Sequence, residues 1–199
     1  VRTVRERNAF AQDVIAQVID KSTMSVEDRA FATLLALGTV SARGTLDEII
    51  DRALDTPEDI FRETRDALQI STYELIFLGK EAHAAVDQGV EMVKSFSPGP
   101  AARVANAVLH KIVRLRIDFP FGNPATDLDA LARTQAFPTW MAKKLMEEMG
   151  PQAAIEFMRA SNEQAPLYVA VNACKVDDEH VLKAFERAEE EVQPVALGD

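Results

Sequence analysis

The sequence predicts a mainly helical protein, in which an all-helical domain is followed by a short α/β segment with few strands. Apolar residues recur at helical spacing through most of residues 1–117, between Ser or Thr caps and Gly or Pro stops. A later stretch, PLYVAVNA at residues 166–173, alternates and is rich in Val, which is typical of a strand. With 199 residues and 47% hydrophobic content, the chain is long enough to bury a core.

The first three helices are predicted from their caps and apolar spacing. They cover residues 2–20, a segment that opens at the capping box of Ser25 and stops near Gly44, and a segment capped by Thr45 that ends near Leu54. Their predicted inner faces carry Phe10, Val14, Val18, Phe31, Leu34, Leu46, Ile49 and Ile50.

Three further helices follow before the SPGP break at residues 97–100. The fourth starts at Thr56 and Pro57, because Pro is favoured at the first helical position, and points Phe61 and Leu68 inward. A short, apolar fifth helix is predicted with caps at Ser71 and Glu74. The sixth covers residues 82–96.

The seventh helix, ARVANAVLHKIVRLR at residues 102–116, contains basic residues but no acid. On a helical wheel one side is apolar, made by Val104, Val108, Ile112 and Leu115. The opposite side carries Arg103, His110 and Arg114, with Lys111 beside them.

The stretch DFPFGNPATD is dense in Pro, Gly and Asn and predicts a boundary. We therefore expect a helical domain at residues 1–117, a linker at 118–126 and a partial α/β connecting domain at 127–199. The connecting domain is predicted to hold helices at 127–135, 138–149, 151–162 and from Asp177 or Asp178 to about 192, with a second short strand at 194–197. Because two strands rarely stand alone, we expect the chain to stop inside or just after a small domain.

Charge is distributed unevenly along the chain, whose formal net charge is −10. Residues 1–117 hold 15 basic and 17 acidic residues, whereas residues 118–199 hold 7 and 15. Within the first part, nine acids lie in residues 45–74, so the remainder is net positive. A basic region on an acidic protein indicates a directed surface, since net charge alone repels polyanions.

The basic residues form the candidate RNA-binding site, since guanidinium groups match phosphate bidentately. Two alternatives remain open from the residues alone: a solvated helix face, or pairing with acids of the third and fourth helices. The N-terminal arginines join the site if the first and seventh helices end near each other. The candidate residues are Arg2, Arg5, Arg7, Arg103, Lys111, Arg114 and Arg116.

Several other functions are not expected. No run of about 18 apolar residues and no secretory signal occur, so we expect a cytoplasmic protein with no membrane partner. The only cysteine is Cys174, and the three histidines lie far apart, so neither a disulfide framework nor a metal site is predicted. Tyr73, Phe77 and Trp140 are interpreted as core residues and not as base-stacking residues.

Three ordered segments resemble the NusB-like domain at the N-terminus of RsmB (Sun) type ribosomal RNA (cytosine-5)-methyltransferases: RAFATLLALGTVSARGTLDEIID, LQISTYELIFLGKEAHAAVDQGVEMVK and VANAVLHKIVRLR. The later segments FPTWMAKKLMEEMG and ASNEQAPLYVAVN are similar to the stretch that joins this domain to the catalytic core in those enzymes. Free NusB factors lack that second part.

The resemblance implies a non-catalytic region that binds or orients ribosomal RNA, with the C-terminal methyltransferase domain of the same protein as a further partner. It implies S-adenosylmethionine as the cofactor of the full-length enzyme and no cofactor in this chain, which lacks a G-x-G-x-x-G motif and a cysteine pair. The chain alone is not expected to methylate. The alternatives are an antitermination factor of the NusB type and a purely structural interaction domain.

This sequence departs from the family pattern at several positions. His110 stands where relatives usually have Arg, and Glu81 where they have Pro. Ala136 replaces the Ser of a usual Ser-His-Pro, and Ala170 the Arg of Arg-Val-Asn. Without that arginine, the strand loses one expected nucleic-acid contact.

Overall fold

The computed structural model describes residues 1–97, 99–163, 168–188 and 192–193. Within these residues the regular structure consists of eleven α-helices and one 3-10 turn, with no strand. The mainly helical class predicted from the sequence is confirmed. Contacts divide the chain into two units, Val1–Asn162 and Glu163–Asp199.

The first unit holds ten of these helices and the 3-10 turn Pro57–Asp59. In chain order the helices are α1 Arg2–Arg7, α2 Ala11–Ile19, α3 Val26–Ser41, α4 Arg43–Ala53, α5 Arg62–Ile76, α6 Ala82–Phe96, α7 Pro100–Leu115, α8 Leu128–Thr134, α9 Thr139–Met149 and α10 Pro151–Asn162. The predicted cap at the second helix is present, because the Asp28 N–H donates to Ser25 Oγ at 3.1 Å.

The main core lies between α4, α5, α6 and α7. Three of them, α5, α6 and α7, meet closely at Gly89 of α6, where an added Cβ would lie 2.3 Å from Ser71 Oγ and 2.8 Å from Leu109 Cδ1. Only glycine leaves room for this approach. The largest fully buried apolar side chains around it are Leu46, Ile49, Ile50, Leu68, Leu75, Val93, Leu109 and Ile112.

The predicted first helix, residues 2–20, is wrong in one respect, because it is broken into α1 and α2. Asn8 ends α1 with φ 48, a left-handed conformation that asparagine adopts more readily than most residues. Neither α1 nor α2 buries a residue completely. Phe10, Val18, Phe31, Leu34 and Phe61, all predicted to point inward, are exposed. Helical spacing predicts an apolar face but does not say whether another element covers it.

The predicted boundary between the fourth and fifth helices is also wrong, since α5 runs continuously through Ser71. Ser71 and Glu74 are buried inside this helix and do not cap it. The chain instead turns before α5, at Pro57–Asp59. Residues such as Ser and Thr mark caps only when the helix end is free, and tertiary packing overrides that signal here.

The inner face of α7 is rotated relative to the predicted one. Val104 is 45% exposed, whereas the small Ala105 is fully buried. The alanines let α7 approach its neighbours closely, which a wheel drawn on large apolar residues misses. The buried residues of α7 are Ala102, Ala105, Val108, Leu109 and Ile112.

Residues 118–126 form turns that pack on the main core. Phe119 lies against the Phe77 ring, with centroids 6.0 Å apart, and against the Phe121 ring at 5.8 Å. The Arg52 guanidinium lies 4.4 Å from the centroid of Phe121. The placement of the domain boundary in this segment stays a prediction.

A smaller core lies among α8, α9 and α10. It buries Leu131, Ala132, Ala142 and Met158. Trp140, predicted as a core residue, is 69% exposed on α9, so that interpretation is wrong.

In the second unit, the strand predicted over residues 166–173 is not formed in its described part. Residues 168–172 have no regular structure and 173 lies in a turn, since a strand requires a paired neighbour. Residues 166–167 and the second predicted strand, 194–197, lie outside the described residues. Helix α11, Asp178–Arg187, is capped by Asp177, whose Oδ1 accepts from the His180 N–H at 2.7 Å. It ends earlier than predicted.

Candidate nucleic-acid interface

The outer face of α7 carries three exposed basic or titratable side chains, Arg103, His110 and Arg114. They lie on the side of the helix opposite the buried Ala105 and Leu109. Arg103 and Arg114 are eleven positions apart, which is about 16 Å along the helix axis. In the part of the chain that the structure describes, no acid lies within ion-pair distance of either arginine. This face is therefore available to an external anion.

Lys111 and Arg116 have partners within the protein. The Lys111 Nζ lies 2.8 Å from Asp55 Oδ1, at the end of α4, in an exposed pair. The Arg116 Nη1 donates to the Lys80 carbonyl oxygen at 3.3 Å. Lys111 therefore pairs with an acid that follows α4, whereas the predicted alternative concerned acids of the third and fourth helices. An exposed pair of this kind contributes little and exchanges readily for another anion.

The three N-terminal arginines differ in their exposure and in their acidic partners. Arg7 is exposed and has no acidic partner among the described residues. Arg2 is also exposed, 3.9 Å from Glu6 within α1. The side chain of Arg5 is only 16% exposed and forms an ion pair with Asp66 of α5. Unlike Arg2 and Arg7, Arg5 is therefore not exposed.

Asp66 is a mostly buried carboxylate. Burial raises its pKa, although the charge and hydrogen bond of Arg5, the N-terminal amine and Arg43 act in the lowering direction. Asp66 Oδ2 and Arg5 Nε have no hydrogen-bond partner. One hydrogen bond, from Arg5 Nη1 to Asp66 Oδ1, therefore joins these two side chains.

The three acids of α4, Asp47, Glu48 and Asp51, form ion pairs with arginines that do not belong to α7. Arg65 Nη1 lies 2.7 Å from Asp51 and 3.3 Å from Asp47, and Gln69 donates to Asp47 at 2.7 Å. Glu48 forms ion pairs with Arg52 and Arg133. Because these carboxylates are already paired, they do not neutralise Arg103 and Arg114. Except for the i,i+4 pair of Glu48 and Arg52, the sequence carries no local signal for these pairs.

The chain was compared with known proteins. The NusB family profile matches residues 2–114, more than half of the chain. The chain belongs to the NusB family. A second profile, the ferredoxin-like domain of RsmF/B-like methyltransferases, matches residues 137–199. No solved structure gives a significant match.

The NusB-family match contains all the candidate cations except Arg116, which follows it. Among relatives, a putative methyltransferase of Mycobacterium tuberculosis is 31% identical over 173 residues, covering 83% of this chain and 38% of the relative. A probable ribosomal RNA small subunit methyltransferase B of Synechocystis is 27% identical over 192 residues, covering 93% and 42%. The chain spans about two fifths of the length of these relatives.

A third relative of this NusB-family chain is the transcription antitermination protein NusB of Nitratiruptor. It is 26% identical over 111 residues, which cover 55% of this chain and 77% of the relative. The antitermination protein therefore matches fewer residues of this chain than the two methyltransferases do.

The described residues contain no cluster of His, Cys, Asp and Glu suited to a metal ion. Helices long and apolar enough to cross a bilayer are likewise absent from the described ranges. Cys174 is a free, exposed cysteine.

Proposed function

We propose that this chain is the non-catalytic N-terminal region of a ribosomal RNA (cytosine-5)-methyltransferase and that it binds and orients the RNA. The order of the two matched families supports this proposal, because the ferredoxin-like profile of RsmF/B-like methyltransferases follows the NusB profile. Relatives named as methyltransferases match 83% to 93% of the chain.

The observation that carries RNA binding is the unpaired face of α7. Among the described residues no acid lies within ion-pair distance of Arg103 or Arg114, although the chain has a net charge of −10. Arginine binds phosphate bidentately, and each neutralised phosphate releases counterions, so a few such contacts support salt-dependent binding. We assign direct phosphate contact to Arg7, Arg103 and Arg114. Lys111 on α7 and Arg116 directly after it extend this basic face, and we also assign the exposed Arg2, beside Arg7, to the site.

The methyl donor of the parent enzyme, S-adenosylmethionine, supplies the methyl group when bound. Neither of two cavities among the described residues fits such a ligand. The groove on α11, about 310 Å³, is lined almost wholly by apolar atoms of residues such as Val181 and Phe185. The other, about 240 Å³ beside Glu48 and Arg133, is bounded by an ion pair already formed. We therefore propose that the methyl donor binds to the methyltransferase domain. We propose this domain as the partner of the present region, and the cytoplasm as the location of the protein.

The alternative is an antitermination factor of the NusB type. It accounts for residues 2–114 but leaves the match over 137–199 without a role. The structural-domain alternative predicts no RNA binding at all, so one experiment separates it from the proposal.

The test is fluorescence anisotropy of a labelled small-subunit ribosomal RNA fragment, titrated with the protein at several salt concentrations. We expect the variant Arg103→Gln/Arg114→Gln to bind more weakly. The slope of log K against log salt is expected to fall in magnitude by about 1.5, since each lost phosphate contact accounts for about 0.7 to 0.9.

The matched control is Lys143→Gln/Lys144→Gln. These exposed lysines lie on α9, 3.9 Å and 3.7 Å from Glu147 and Glu148, and their loss changes the net charge equally. The control is expected to keep the wild-type slope. Equal slopes for both variants would reject the assignment of the site to α7, and no binding by the wild type would reject the proposed function.

A further inference from the structure

The N-terminal helix α1 is held on the protein by very little apolar packing. No residue of α1 or of the following α2 is fully buried. A six-residue helix does not persist in water by itself, because helix nucleation is costly. Something else must therefore fix α1, with its exposed Arg2 and Arg7, in place.

The ion pair of Arg5 with Asp66 is the contact suited to that task. Among the described residues it is the one ion pair that joins α1 to another helix. The side chains of Arg5 and Asp66 are only 16% and 12% exposed, so solvent screens their attraction weakly. Asp66 lies in α5 directly before Ala67 and Leu68, which are buried in the main core. Its position is thus rigid.

We infer that Arg5 and Asp66 are positioning residues, a latch that docks α1 on α5 and so presents Arg2 and Arg7 to RNA. This inference rests on the proposed function. Arg5 itself touches no phosphate. The acid of the latch promotes RNA binding, although an acid near a polyanion site ordinarily opposes it.

Burial supports the latch from the side of the acid. It raises the pKa of Asp66, whereas the charge and the hydrogen bond of Arg5 act to lower it. When one partner of a shielded ion pair is removed, the charge of the remaining partner has no counter-charge. Release of α1 from α5 then exposes that charge to water.

Two aspartate-to-asparagine variants with the same charge change test the latch. Asp66→Asn breaks it and leaves every cation in place. Asp55→Asn releases Lys111 from its exposed pair and does not touch α1. Net charge alone predicts tighter RNA binding in both. The latch predicts weaker binding for Asp66→Asn, by about three- to tenfold for one or two lost phosphate contacts, and unchanged or tighter binding for Asp55→Asn.

Hydrogen exchange without RNA tests the docking independently. We expect the amides of residues 3–8 to exchange about tenfold faster in Asp66→Asn than in the wild type, as expected for local opening, and at the wild-type rate in Asp55→Asn. Arg5→Lys keeps the charge pair and is expected to restore most of the protection and the affinity, whereas Arg5→Gln is not. If Asp66→Asn does not fold, the pair Arg5→Lys and Arg5→Gln decides the same question.

The outcomes separate the two proposals. Wild-type exchange in Asp66→Asn, or RNA binding by it as tight as the wild type, overturns the latch. Faster exchange with no RNA binding by the wild type retains the docking role and rejects the proposed function instead. Loss of protection in Asp55→Asn as well overturns the latch, because the effect is then not specific to Asp66.

Discussion

Glu48 of α4 and Arg133 of α8, 85 residues apart in the chain, form an ion pair with Nε 2.9 Å from Oε1. Arg133 also donates to the Pro120 carbonyl oxygen at 3.0 Å, and Arg52 donates to the same Glu48 oxygen at 2.8 Å. The pair therefore fastens both α8 and the segment 118–126 to the helical core. A segment whose composition predicts a linker is thus held in place by this charged cluster together with the core packing of Phe119 and Phe121.

Replacing Arg133 by Met is expected to lower the free energy of unfolding by about 1–2 kcal/mol, because the pair is partly buried and its hydrogen bonds are charge-assisted. Urea unfolding followed by circular dichroism measures this. Arg159→Met on α10 is the control, since Arg159 is exposed with no ion pair among the described residues, and it is expected to remain near the wild type. Equal losses in both variants would contradict the role of the pair.

The stability contributed by Glu48 is expected to depend on pH. Burial acts to raise its pKa, but hydrogen bonds and charges from Arg133 and Arg52 lower the pKa below the ordinary value of a glutamate. A carboxyl whose folded-state pKa is depressed stabilises the fold above its unfolded pKa, and this contribution is lost as pH falls through the folded pKa. The difference in unfolding free energy between the wild type and Glu48→Gln should thus be full at pH 6 and shrink below about pH 4.5. Urea titrations at several pH values measure it, and a difference independent of pH would refute the assignment.

Gly89→Ala is expected to destabilise the protein by about 1–3 kcal/mol through overpacking. Its new methyl group would clash with Ser71 and Leu109. Gly44→Ala in α4 is the matched control, because nothing lies within 4 Å of its added Cβ. That change is expected to be neutral or to stabilise by up to about 1 kcal/mol, through higher helix propensity. Thermal melts of the two variants should shift in opposite directions or differ clearly, and a similar loss in both would contradict the close packing at Gly89.

Most helices could be predicted because their signals are local. The cap at Ser25, the break at SPGP and the bounds of α6 follow from residues within a few positions of each helix end. The predictions failed where packing between distant parts of the chain outweighed a local signal. Ser71 has the chemistry of a cap, yet it lies buried inside α5 against Gly89.

The sequence by itself determined the helical class, the resemblance to the NusB domain and the basic character of α7. Only the tertiary structure decided which cations are free. Arg5 meets Asp66 across 61 residues and Arg133 meets Glu48 across 85, and no periodicity predicts such pairs. The charge of a residue is a property of the sequence, whereas its neutralisation depends on what the fold places within a few ångströms of it.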